Sequence, residues 1–125
     1  MNRWTAATFD EFGRTLGIEG LAPGETGGLS LRLGHERRLG FQVAGDGAVV
    51  VLMAVPAGPG DTLSLKLRAL SLCHARHGWA LPMAAGLARE GDLVFLTRIP
   101  ARQFVVSTVE QALDLLIRLH DQVRH

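Results

Sequence analysis

The chain has one cysteine, one lysine and no apolar run longer than a strand. Cys73 alone cannot form an internal disulfide, which suits a reducing compartment. No stretch approaches the roughly 18 apolar residues of a membrane-spanning helix. The longest, Ala48–Val55, has strand length, and MNRWTAATFDEF holds no signal-like apolar segment. The expectation is a cytoplasmic protein without membrane insertion. Lysine scarcity leaves twelve arginines scattered from Arg3 to Arg124, with only Arg37 and Arg38 adjacent. With a formal charge of +1, this spread argues against a nucleic-acid or anionic-lipid partner, which needs clustered cations.

Motifs for chemistry are scarce as well. There is no GxGxxG and no CxxC. Gly58-Pro59-Gly60-Asp61-Thr62 precedes a helix but lacks the Walker lysine, and Asp61 repels phosphate there. Cys73 and His77 are four residues apart on a predicted helix, a spacing that suits a metal or a thiol–imidazole pair. A closed metal site needs four ligands, and the remaining histidines fall in a turn and at the C-terminal end. A cysteine nucleophile also needs a histidine oriented by a third group. Asp10 and Glu11 sit at a helix start, where the macrodipole favours them. No catalytic residue, metal ligand or cofactor site is assigned.

What the chain does have is patterned apolar surface, almost half of its 125 residues being hydrophobic. That length accommodates one domain over residues 1–125 with a core of its own. A short helix is predicted at Thr8–Leu16, with Thr8 and Glu11 spaced as a capping box and Gly17 as a left-handed terminator. Phe9, Phe12 and Leu16 share one face of it; Trp4 lies just before and is a candidate partner contact. Alternation then predicts strands through Leu29, Leu31 and Leu33, and through Leu39, Phe41 and Val43. Ala48–Val55 is apolar on both faces, as expected in the middle of a sheet with both faces covered, or where another protein covers one face. A second hairpin is expected at Ala80–Ala88 and Leu93–Ile99, with Pro82 keeping its first strand at an edge. A final helix runs over Ser107–Val123.

The most informative segment is the helix predicted at Asp61–His77, with Asp61 as N-cap and Gly78 as stop. It carries two apolar stripes: Leu63, Leu67 and Leu70, and Leu65, Ala69, Leu72 and Cys73. A surface helix ordinarily buries one stripe. The second calls for something outside the chain. The predicted architecture is α+β, in the order α-β-β-β-α-β-β-α, an antiparallel sheet with helices packed against it.

Several of these patterns together resemble the class I type III secretion chaperones. They are Phe9-x-x-Phe12-x-x-x-Leu16-Gly17-Ile18, the three-strand run Leu29–Val55, the leucine-rich helix Leu63–Leu72 and the strand Leu93–Ile99. The closing helix with Leu113, Leu116 and Leu119 completes the set. The resemblance implies a twisted antiparallel five-stranded sheet flanked by three helices. It also implies a homodimer formed through the central helix and the following strand. Carried over by position, Leu65, Leu72, Cys73 and Trp79 are the expected dimer contacts. Phe9, Phe12, Leu16, Leu31, Leu33, Phe41 and Val43 are the expected binding groove for an extended N-proximal segment of a secreted effector. The implied function is to keep that segment soluble and export-competent. The alternatives are a regulatory or adaptor domain of the same fold and, more remotely, a small enzyme using Cys73 and His77. The chain differs from the usually acidic members of that family in being slightly basic, with a pI near 8.1.

Overall fold

A computed structural model describes residues 2–58, 60, 62–74, 81–88 and 91–124. The elements are α1 (Arg3–Thr15), β1 (Gly28–Leu33), β2 (Arg37–Val43), β3 (Val49–Pro56), α2 (Thr62–Leu72), β4 (Ala84–Leu87), β5 (Asp92–Ile99) and α3 (Val106–Val123). The order and types match the sequence expectation. The five strands form one antiparallel sheet in the order β1-β2-β3-β5-β4. The doubly apolar strand β3 takes the centre, and β4, the strand that follows Pro82, takes an edge, as the pattern requires.

Several boundaries differ from expectation; β4, expected over Ala80–Ala88, is described over Ala84–Leu87, so Pro82 precedes the strand. Helix α1 begins five residues early, at Arg3, because the Asn2 side chain accepts the Thr5 N–H at 2.8 Å and caps it. Thr8 therefore lies inside the helix and forms no capping box; its hydroxyl instead donates to the Phe104 carbonyl at 2.9 Å. Helix α2 is described to Leu72, with turn-like backbone through His74. Asp61, His77, Gly78 and Trp79, which carried expectations above, lie outside the described residues.

Register assigns the sheet faces. Leu39 opposes Met53, Phe41 opposes Val51, Met53 opposes Phe95 and Val49 opposes Ile99, so these side chains share one face. Phe9 and Phe12 of α1, Ala69 of α2, and Val109, Ala112, Leu116 and Leu119 of α3 close over it into one buried cluster. Aromatic edges anchor α1: Phe9 meets Phe41 at a centroid distance of 5.3 Å and Phe104 at 4.9 Å, and Phe12 meets Phe41 at 5.9 Å. Gly13 is required where α1 folds back on its own tail. A Cβ there would lie 2.6 Å from Leu21 Cβ and 2.9 Å from the Ile18 carbonyl oxygen. Gly17 ends the helix with φ +79°, as its place in the sequence predicts.

Candidate protein-binding interface

The two stripes of α2 meet different fates. Ala69 is fully buried, and Leu65, Leu72 and Cys73 are half-buried against the core cluster. Leu63, Leu67 and Leu70 remain 64%, 58% and 45% exposed. The expected dimer contacts Leu65, Leu72 and Cys73 are thus partly covered within the chain itself. Leu65, Leu72 and Cys73 belong mainly to the stripe that seats α2 on its own sheet, and the free apolar face is Leu63, Leu67 and Leu70. Periodicity showed both stripes but not their orientation. The available signal was Ala69, whose small side chain lets the helix backbone approach the sheet. The fourth contact, Trp79, lies outside the described residues.

The groove candidates also divide. Phe9, Phe12 and Phe41 are buried, at 3% exposure or less, and form the floor of the fold rather than an accessible wall. The reason is the aromatic packing just described, which uses up their ring faces within the chain. Leu31 and Leu33, on edge strand β1, and Val43, at the end of β2, are half-buried against the same cluster. Leu16 at the end of α1 is exposed. These four retain surface for a ligand. Strands β1 and β4 each pair on one side only, so both sheet edges present unpaired backbone groups among the described residues. On the face opposite the core cluster, Val50, Leu52, Val94 and Leu96 are half-buried, and Gly40 leaves room for Leu52 to lie across β2.

Polar groups in and around this scaffold read as structural. Burial pushes the Cys73 thiol above its usual range, which makes it a poorer nucleophile. His120 is buried, with its ring edge-on to Phe95 at 4.9 Å and Nε2 donating to the Met53 carbonyl at 2.8 Å. Nδ1 of the same ring has no hydrogen-bond partner among the described residues. Desolvation holds this histidine below its usual pKa. The Met53 carbonyl and Asp121 oppose that shift, and the guanidiniums of Arg124 and Arg37 add to it. Asp46 bonds the Ala48 N–H at 3.0 Å and pairs with Arg98, which together hold its carboxyl low. Among the described residues no group of three or more His, Cys, Asp or Glu is placed to hold a metal ion, and no helix is long and apolar enough to cross a membrane.

This fold and its exposed apolar surfaces can be set against known proteins. The family model of the type III secretory system chaperone SycN matches residues 4–124. The chain belongs to that family. Solved structures carry the same fold at low identity. A chain of the ExsC–ExsE complex superposes with a TM-score of 0.75 at 19% identity, covering 98% of this chain and 92% of its own. The Yersinia pestis chaperone SycH, solved with a stable fragment of YscM2, gives 0.68 at 14% identity, covering 95% and 96%. The heterodimeric ExoU–SpcU complex of the Pseudomonas aeruginosa type III secretion system gives 0.68 at 16%, covering 91% and 93%. No curated protein sequence matches the chain. For this type III chaperone, the observed topology is thus the family's own.

Proposed function

We propose that the protein is a homodimeric, cytoplasmic, non-enzymatic chaperone, one domain over residues 1–125. It holds an extended segment of a type III secretion effector and keeps it export-competent without a cofactor. Family membership supports this reading, as do structural neighbours solved as chaperone–effector pairs, such as the HopA1–SchA complex. The observation that carries it is α2, an eleven-residue helix with Leu63, Leu67 and Leu70 standing in solvent while its other face is already seated. A second copy covering that stripe removes the exposed leucines, and association then stabilises the fold by mass action. Leu65, Leu72 and Cys73 lie beneath this contact, and Trp79 flanks it in sequence.

Holding a client needs no reaction. An extended segment gains main-chain hydrogen bonds at a free sheet edge and selectivity from side-chain pockets. Leu31 and Leu33 on edge strand β1, with Val43 and Leu16, supply such apolar surface, and Phe9, Phe12 and Phe41 support it from below.

Two measurements test the reading. Sedimentation of the purified protein at micromolar concentration should give a dimer; a monodisperse monomer overturns the interface. Co-expression with a secreted protein encoded beside it should yield a stable complex in which one effector segment is shielded from protease. Co-purification of a folded, uniformly resistant partner instead would favour an adaptor.

A further inference from the structure

We infer that the N-terminal ends of α1 and α3 together form a docking site for a peptide segment that combines apolar side chains with carboxylates. The inference rests on the reading that this protein holds extended segments, and it names the chemistry of one of them. Trp4, in the first turn of α1, is 81% exposed, the largest apolar side chain left in solvent among the described residues. Beside it opens a hollow of about 510 Å³ whose walls include Trp4, Thr8, Arg102, Phe104 and Val105. Its base is firm. The Phe104 ring packs on Phe9, and the Thr8 hydroxyl holds the Phe104 carbonyl. Val105 is exposed on the far side.

Charge supplies the second half of the argument. Arg14, Arg37, Arg38, Arg98 and Arg118 each pair with an aspartate. Arg102, in the wall of the hollow, and Arg3, which with Ala7 borders the opposite side of Trp4, have no ion pair among the described residues. Among the described residues no carboxylate lines either side. Both helices begin here, neither with an acidic residue in its first turn, and Val105, the N-cap of α3, gives no side-chain hydrogen bond. Their positive ends add to the field of the two guanidiniums. The patch thus offers an indole for an apolar side chain and flanking positive charge for carboxylates. Two guanidiniums fall short of the run of cations that a nucleic-acid backbone requires, so a peptide is the better fit.

The test uses the full chain with Trp79→Phe, which leaves Trp4 as the sole indole. Its probes are synthetic peptides of equal length alternating leucine with glutamate, leucine with lysine, or serine with glutamate, and an oligothymidylate. The leucine–glutamate peptide should shift Trp4 emission to the blue, a readout that needs no substitution at the site itself. By anisotropy of labelled peptide, Trp4→Ala should weaken this binding about tenfold or more. Arg3→Glu with Arg102→Glu should weaken it severalfold, and raised salt should mimic that loss. The lysine and serine peptides should bind far more weakly. Equal binding of the lysine peptide, no blue shift, no effect of Trp4→Ala, or tighter binding of the oligothymidylate each overturns the inference. If an effector co-purifies and these peptides fail, only this site falls. If the peptide binds at Trp4 and no effector is held, only the chaperone reading falls.

Discussion

Helix α1 carries three large apolar residues and the shorter α2 carries five, and the two helices use them differently. In α1, Phe9 and Phe12 sit on one face and are buried to completion, while Asp10, Glu11 and Arg14 keep the other side polar. In α2, leucines occur on both sides, so seating one stripe on the sheet necessarily leaves the other in water. The closed side is an ordinary core; the open side is surface prepared for another molecule. Past Trp4, α1 is finished by its own chain, whereas a helix with two apolar stripes is finished only by a neighbour.

Substitutions can break this comparison from either side. The largest loss should follow Phe9→Ala on the closed side. Removing a ring held between Phe41 and Phe104 leaves a cavity and should lower stability by about 3–5 kcal/mol in denaturant titration. A change below 1 kcal/mol would show that α1 is not the anchor the aromatic distances indicate. On the open side, Leu67→Glu should leave the fold of each chain almost untouched and raise the dimer dissociation constant by about thirtyfold or more in sedimentation. If the dimer survives unchanged, α2 is not its interface.

Smaller effects sharpen the contrast. Gly13→Ala adds a favoured helix residue, yet it should destabilise by about 1–3 kcal/mol because Leu21 and Ile18 occupy the space; stabilisation would mean that the tail swings away easily. The mildest test is pH. His120 has a folded-state pKa below its unfolded one, so its contribution is complete above about pH 6.5. As pH falls below that, the unfolded chain takes the proton first and stability declines towards the folded pKa. Compared with His120→Gln, the native chain should lose more stability between neutral and mildly acidic pH, while Leu67→Glu should follow the native slope. Parallel curves for native and His120→Gln would remove the buried imidazole from the account.

Much of this organisation was legible without coordinates. Alternation at Leu29, Leu31 and Leu33, the doubly apolar run ending at Val55, and Gly17 at a helix end each express a local steric or periodic rule that packing did not override. The start of α1 was misread because Thr8 with Glu11 satisfies a capping rule on paper, while Asn2, six residues earlier, satisfies the same rule in the fold. The binding residues were less legible. Burial distinguishes Phe9, Phe12 and Phe41 from Leu16, yet all four are large, apolar and correctly spaced. Nor does anything local mark Arg3 and Arg102 as arginines beside Trp4 with no ion pair among the described residues, because ion pairs such as Arg37–Asp121 join residues far apart in the chain.

Local order is enough to determine element types, the apolar character of both faces of β3 and the surplus of apolar surface on α2, since each follows from periods of two or 3.6 residues along the chain. Which α2 stripe faces inward, which aromatic rings are consumed by the core and which meet solvent depend on contacts between segments dozens of residues apart. Only the packed tertiary structure decides those, because burial is a property of neighbours in space and not of neighbours in sequence.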